Sequence, residues 1–293
     1  MSYDTGKIWL MEVIMNSPEN PDRNSNEKVK YTHDYSDEFI DALRSRTAVT
    51  EAAFFLPYLR SNMNLLDCGC GPGAITIDFS KIVAPGIVTG IDIDESQVKI
   101  ARKQANDSRI NNVAFRNADI YELPFNNDSF DAAFAHTTLQ HLSDPVKSLR
   151  EIYRVLKPGA VIGIRDDDVG SFIFAPTNSL MEEGVKIFKK VWKHNGGDPH
   201  FGRLHRQSLR AAGFVKIECF ASCLCCGTPE AAEEHSKFII AMASAPSFRN
   251  QAIAMNLCDK QMLDDLINEW SKWGKHPDSF LAVTFCEAIG WVK

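Results

Sequence analysis

The run Asp67-Cys68-Gly69-Cys70-Gly71-Pro72-Gly73 carries the clearest chemical signal in the chain. Glycines at alternate positions let the backbone turn tightly and approach a ligand without side-chain interference. Asp92 follows 25 positions after Asp67, where a carboxylate at the end of a second strand can accept hydrogen bonds from both hydroxyls of a ribose. The two features together point to a nucleotide-like cofactor. Gly69, Gly71 and Ala74 also satisfy the looser G-x-G-x-x-G/A pattern of dinucleotide sites, so a nicotinamide cofactor competes with S-adenosylmethionine (SAM). Asp67 separates the two. An acid at the strand end suits the amino group of a zwitterionic methyl donor and sits awkwardly beside a pyrophosphate.

Three further residues could move a proton: His136 and His141 after the fourth expected strand, and Asp166 after the fifth. A methyl transfer needs chiefly alignment of a nucleophile with the methyl carbon, so such a base is optional. For His141 a packing role in the Gln140-His141-Leu142 turn weighs as much, and for Asp166, Asp167 and Asp168 the plain alternative is a solvated acidic loop. A three-carboxylate metal site lacks the further spaced oxygen ligands that hard cations require, so no metal is expected. Cys223, Cys225 and Cys226 raise zinc or arsenic chemistry. Their spacing is not C-x₂-C, and no second cluster accompanies them, so packing as small hydrophobes is the better expectation.

These residues must be positioned by alternating strands and helices. Short apolar runs at 65–67, 87–93, 113–116, 130–135 and 160–165 alternate with amphipathic stretches near 74–83, 95–104 and 145–156, which is the grammar of a parallel sheet covered by helices. Asp94 and Gln97 have capping-box spacing at the start of the second helix. Ser143-Asp144-Pro145 starts the third helix, and Lys157-Pro158-Gly159 ends it. Residues 166–197, helical over 179–193, interrupt the alternation. A helix at 207–212 and a strand near 215–220 follow, then a second helical interruption at 228–274. The stretch 280–292 is strand-like and could close the sheet. The expected organisation is an N-terminal cap or lid at 1–61, a cofactor-binding core at 62–170, a helical insertion at 171–206, and sheet-completing strands at 207–293. Tyr31, His33, Tyr35 and Arg46 lie in the cap, where Arg46 could meet a donor carboxylate. Aromatic residues such as Phe172, Phe174, Trp192, Trp270 and Trp273 crowd the insertions and could line an apolar pocket or simply pack helices.

Five ordered motifs carry a resemblance: Leu-Leu-Asp-Cys-Gly-Cys-Gly-Pro-Gly at 65–73, Gly-Ile-Asp-Ile-Asp at 90–94, Asn-Ala-Asp-Ile at 117–120, Leu-Pro-Phe-Asn-Asn-Asp-Ser-Phe-Asp at 123–131 and Glu-Ile-Tyr-Arg-Val-Leu-Lys-Pro-Gly-Ala at 151–160. In this order they resemble the ubiquinone/menaquinone-biosynthesis (methyltransferase type 11) group of class I SAM-dependent methyltransferases. The resemblance covers about residues 40–170. It implies an α/β, Rossmann-like, seven-stranded and mostly parallel sheet with helices on both faces and helical insertions as a lid. It also implies SAM as cofactor and S-adenosylhomocysteine as product. Gly69, Gly71 and Gly73 would approach the methionyl part, Asp92 the ribose, Ile93 the adenine face, and Asp119 with Ile120 the adenine edge, while His136 would border the sulfonium. Asp67, Cys70, Gln97 and Arg46 complete the residues expected around the cofactor.

Composition narrows the acceptor. A net charge of −6 and a pI near 5.8 work against a phosphate-binding surface, so no nucleic-acid partner is expected. His136-Thr137-Thr138-Leu139 stands where amino-methylating nucleic-acid and protein-glutamine enzymes carry an Asn-Pro-Pro-Tyr-like motif. A small-molecule acceptor is therefore expected, with its methylated atom (C, O or N) open. With 44% apolar and 24% charged residues, no run of about 20 apolar residues and no charged-then-apolar leader, the chain reads as a globular cytoplasmic protein without membrane contact. Eight cysteines without a spaced framework suggest free thiols in a reducing compartment. Monomer and homodimer stay open. The alternatives are a SAM-binding protein without turnover and, third, an NAD(P)-dependent dehydrogenase.

Overall fold

The computed structural model describes residues 37–293. Tyr31, His33 and Tyr35 lie outside that range. Helices α1 (Asp37–Arg44) and α2 (Ala48–Glu51) precede the sheet. The core then alternates β1 (Leu65–Cys68), α3 (Ala74–Val83), β2 (Val88–Asp92), α4 (Glu95–Asp107), β3 (Val113–Asn117), β4 (Phe130–His136), α5 (Pro145–Val155) and β5 (Leu156–Ala175). The remainder comprises α6 (Ser179–His194), α7 (His205–Ala212), β6 (Val215–Cys226), α8 (Pro229–Ser244), α9 (Pro246–Ala254), α10 (Lys260–Trp273) and β7 (Phe280–Trp291). The seven strands form one sheet in the order β3-β2-β1-β4-β5-β7-β6, parallel except for β7, which runs antiparallel to both neighbours. This is the Rossmann-like sheet expected from the sequence. None of the described helices is long and apolar enough to cross a membrane.

Helix boundaries follow their side-chain chemistry. Asp144 caps α5 by accepting from the Lys147 backbone N–H at 2.9 Å, and Pro145, which has no N–H to satisfy, occupies the first turn. Asp94 caps α4 through the Ser96 N–H at 2.7 Å. The expected capping box is not completed. Gln97 is fully buried, and neither of its amide atoms finds a hydrogen-bond partner. The side chain faces the packed interior and not back toward the cap.

Two strands overrun their sequence-based limits. β5 was expected at 160–165 but runs to Ala175, so Asp166, Asp167 and Asp168 belong to a strand and not to a solvated loop. β6 was expected to end near 220 but continues to Cys226. The cause is non-local: β7 pairs along its length with both, from Val161↔Trp291 to Ala175↔Phe280 on one side and from Val215↔Trp291 to Cys226↔Leu281 on the other. The aspartates, weak strand formers by propensity, are held extended by that ladder, which also carries the cysteine run.

One apolar layer ties the N-terminal helices to the sheet. Phe55, Phe79 and Phe134 are fully buried, with Phe134 stacked on Phe55 at 5.4 Å and edge-on to Phe79 at 5.1 Å. Gly163 on β5 makes room for this layer, since a Cβ there would stand 2.5 Å from the Phe55 ring. Gly163→Ala is expected to destabilise the protein by about 1–3 kcal/mol through overpacking, and by clearly less in a Phe55→Leu background. Urea unfolding of the four variants of this cycle measures the coupling.

Candidate functional site

The glycine loop leaves β1 and enters α3 under two restraints. The Gly69 and Cys70 N–H groups both donate to the Ile91 carbonyl of β2, at 2.8 and 2.9 Å, and the Gly71 N–H donates to Asp92 Oδ2 at 2.9 Å. Asp92 Oδ1 accepts from the Asp94 N–H at 2.9 Å. The turn demands φ of +74° at Gly69, and a Cβ there would lie 2.2 Å from Thr138 Oγ1, so only glycine fits. Thr138 itself donates to the Cys68 carbonyl at 3.1 Å and locks the ends of β1 and β4 together.

Beyond these strand ends lies a cavity of about 470 Å³. Of the residues expected around a cofactor, Arg46, Asp67, Gly69, Cys70, Gly71, Asp92, Ile93, Asp119, Ile120 and His136 line it, and so does the candidate base His141. Gly73, Gln97 and Asp166 do not. Gly73 serves as the N-cap of α3 at φ +87°, packed so closely that a Cβ would meet Ala101 and Phe115 at 2.8 Å. Leu43, Tyr121, Thr137, Thr138 and Leu142 also line the cavity and carried no signal in the sequence. Thr137 is conspicuous for its backbone. A β-branched residue at φ +47° is strained, and its Oγ1 accepts from Arg46 Nη1 at 3.2 Å.

Two carboxyl groups shape the electrostatics of this cavity. Burial pushes Asp67 up to about 7, opposed by the Thr76 hydroxyl that donates to its Oδ2 at 2.6 Å and reinforced by the Asp92 charge. Burial also raises Asp92, against the backbone N–H groups of Asp94 and Gly71, which stabilise its charge. Both acids thus sit on the cavity wall with part of their hydrogen-bonding capacity unused, suited to a ligand that brings donors and positive charge.

The candidate bases separate. His136 is buried with its pKa held well below the usual imidazole range, first by desolvation and then by the charges of Arg46 and Arg165. Its Nε2 lies 3.3 Å from Glu51 Oε2 without hydrogen-bond alignment, and both ring nitrogens are shielded. Arg165 holds this corner: Nη1 donates to Glu51 at 2.5 Å, Nε donates to Glu287 at 3.3 Å, and the guanidinium covers the Phe285 ring at 3.7 Å. His141 stacks on Trp192 of α6 at 4.8 Å. Asp166 points to the opposite face of the sheet from the Arg165 side chain, fully buried, with Oδ2 2.9 Å from His205 Nε2 and Oδ1 accepting the Gln140 N–H at 3.3 Å. Alternation along β5 turns Asp167 back to the Arg165 side. Its Oδ1 is buried without a hydrogen-bond partner, and burial, then the Asp166 charge, pushes its pKa up to about 7. Asp168 pairs with Arg203 and His200. Burial works to raise its pKa, but the hydrogen bonds from Arg203, His200 and Gly170 outweigh that and hold it below the usual carboxylate range.

Among the described residues, no group of three or more His, Cys, Asp or Glu is arranged to hold a metal ion. Cys223 and Cys225 are exposed on one face of β6, and Cys226 is buried on the other.

A family model described as a methyltransferase domain matches residues 59–208. A probable methyltransferase of Aspergillus luteorubrus is 36% identical over 278 residues, covering 89% of this chain and 96% of its own length. An uncharacterized methyltransferase of Schizosaccharomyces pombe is 32% identical over 203 residues, covering 67% of this chain and 73% of its own. Among solved structures, Haemonchus contortus phosphoethanolamine N-methyltransferase 2, in complex with S-adenosylhomocysteine and phosphomonomethylethanolamine, shares the fold. Its TM-score is 0.52 at 19% identity, with 84% of this chain and 52% of that one covered. The glycine loop at the ends of β1 and β2, the acid-lined cavity beyond it, the family model over residues 59–208 and a relative matched over 89% of the chain lead to one assignment: the chain belongs to the methyltransferase domain family, as a class I SAM-dependent methyltransferase.

Proposed function

We propose that this protein methylates a small-molecule acceptor, with the donor held along the cavity from Asp67 to Asp119. The observation that carries the proposal is the distribution of charge. A carboxyl at the β1 end, a second at the β2 end and the Arg46 guanidinium on the cavity wall beside Thr137 complement a ligand bearing an ammonium, a ribose diol and a carboxylate. In this arrangement Asp67 takes the ammonium and Arg46 the carboxylate. Asp92 takes the ribose hydroxyls, Ile93 packs on the adenine, and Asp119 with Ile120 borders its edge. Cys70 and the loop amides line the methionyl side. Bound there, the donor supplies an electrophilic methyl group on its sulfonium.

The acceptor enters from the other end of the cavity, where His136, Thr137 and His141 meet Arg46 and Leu43, and where α6 and the helices of the second insertion serve as a lid. His141, held flat against Trp192, is the candidate base on the cavity wall. Asp166 is withdrawn by its pairing with His205, Asp168 is paired with Arg203 and His200, and Asp167 does not line the cavity. The acidic surface balance supports an acceptor other than nucleic acid, and a cytoplasmic location remains the expectation from composition.

Calorimetric titration with S-adenosylhomocysteine is expected to give micromolar binding that Asp92→Ala weakens at least about tenfold, equivalent to one lost charge-assisted contact. Binding of NAD in place of S-adenosylhomocysteine would overturn the proposal.

The Asp67 carboxyl gives the site a pH signature. Its folded pKa of about 7 lies above the value near 4 of an unfolded aspartate, so the folded state binds the extra proton between these limits. The ligand-free protein therefore gains stability from this group at low pH and loses it as pH rises from about 4 to about 7. An ammonium ligand favours the ionised carboxylate, so affinity for S-adenosylhomocysteine is expected to rise from pH 6 to pH 8 and then level off. Asp67→Asn should bind more weakly and show no such rise in the same titration series.

A further inference from the structure

β6 is the last strand of the sheet, and one side of its backbone ladder is unpaired by any described element. Long exposed edges invite pairing, and proteins blunt them with charges and bulges. Here the blunting devices sit only at the start of the strand. Lys216 has φ +48°, the register shifts between Val215 and Glu218, and Lys216 and Glu218 are exposed. From Cys219 to Cys225 the edge carries no charge in a chain of net charge −6, and all but Ser222 of these residues are exposed. Phe220 and Leu224 are 42% and 37% exposed on the same face of the sheet.

The order of residues along this edge selects its occupant. In an antiparallel pairing of two identical strands about a two-fold axis, residues equidistant from the centre stand opposite one another. With Ser222 on the axis, Phe220 meets Leu224, Cys219 meets Cys225, and Ala221 meets Cys223, so apolar residues meet apolar residues on both faces. The two large exposed side chains cover each other twice. A charged partner would find nothing to pair with, whereas two equal copies, which repel elsewhere through their like net charge, meet here along an uncharged strip. We propose that β6 is a homodimer interface in which two copies of this chain join edge to edge about Ser222, making one continuous sheet. Seven residue pairs supply about six to eight backbone hydrogen bonds. The cavity opens at the ends of β1, β2 and β4, several strands away from this edge, so the interface is independent of the methyltransferase assignment.

The test is light scattering and sedimentation on the full chain from micromolar to hundred-micromolar concentration. The expected particle is twice the 32.8 kDa chain mass. Phe220→Glu and Leu224→Lys should each weaken association about tenfold or more, since either buries a charge against an apolar neighbour. The double variant should restore it, because the new Glu and Lys then stand opposite each other twice. Both positions are exposed in one chain, so unchanged S-adenosylhomocysteine binding and melting temperature verify the fold of each variant. A monomeric wild-type protein, with the edge satisfied by residues 1–36 or by solvent, would overturn the proposal. So would a dimer indifferent to the single changes, or a double variant that stays monomeric.

Discussion

The site depends on one tether: the Ile91 carbonyl and the Asp92 carboxylate of β2 hold the N–H groups of Gly69, Cys70 and Gly71. A loop of glycines has high conformational entropy when free, and left to itself it would not hold a ligand-shaped concavity. Three hydrogen bonds from the neighbouring strand fix it, one of them to a charged acceptor and therefore stronger than a neutral bond. The same carboxylate that fixes the loop faces the cavity, so the order of the loop and the chemistry of the site share a residue. Everything downstream, including the close fit of Thr138 over Gly69 and the start of α3 at Gly73, follows from where that tether places the backbone.

The second constraint is the burial of acids at the carboxyl ends of the strands. Asp67, Asp92, Asp166 and Asp167 lie within or at the ends of three strands of the sheet, and burial penalises their charged forms. The fold resolves each case differently. Asp166 receives a histidine and a backbone N–H. Asp67 receives a threonine hydroxyl and is raised to about 7. Asp92 receives two backbone N–H groups, and Asp167 keeps one oxygen without a partner. Unresolved charge of this kind is tolerated where a ligand completes it.

The third element is the long β5–β7–β6 ribbon, which carries the sheet past the ends of the parallel strands and supports the insertion helices. Leu281 and Cys226 are buried with Met181, Leu266, Trp270 and Trp273 beneath those helices, while Gly184 lets Leu266 of α10 press against α6. The ribbon links the insertion helices to the sheet through backbone hydrogen bonds on both sides of β7. Arg165 bridges it to Glu51 of α2, so the N-terminal helices and the C-terminal strands meet beside His136.

Much of the fold was legible because local chemistry and burial agreed. The runs at β1, β2 and β4 are apolar where the strands are buried, Asp144-Pro145 starts α5, and the glycine loop with Asp92 has few physical uses. By itself the sequence determined the alternation of strands and helices, the mostly parallel sheet and the residues able to meet a nucleotide-like donor. It did not reveal that Gln97 turns inward, that Asp166 is withdrawn by His205, that Thr137 enters the cavity in a left-handed conformation, or that Glu51 reaches His136. Nor did it reveal that the aspartate and cysteine runs are strand. Those outcomes rest on contacts between residues far apart in the chain, such as Arg165 and Glu287, 122 positions apart. Only the tertiary structure decided them, because the pairing partner of a strand and the neighbour of a buried charge are set by packing across the whole chain and not by the residues on either side.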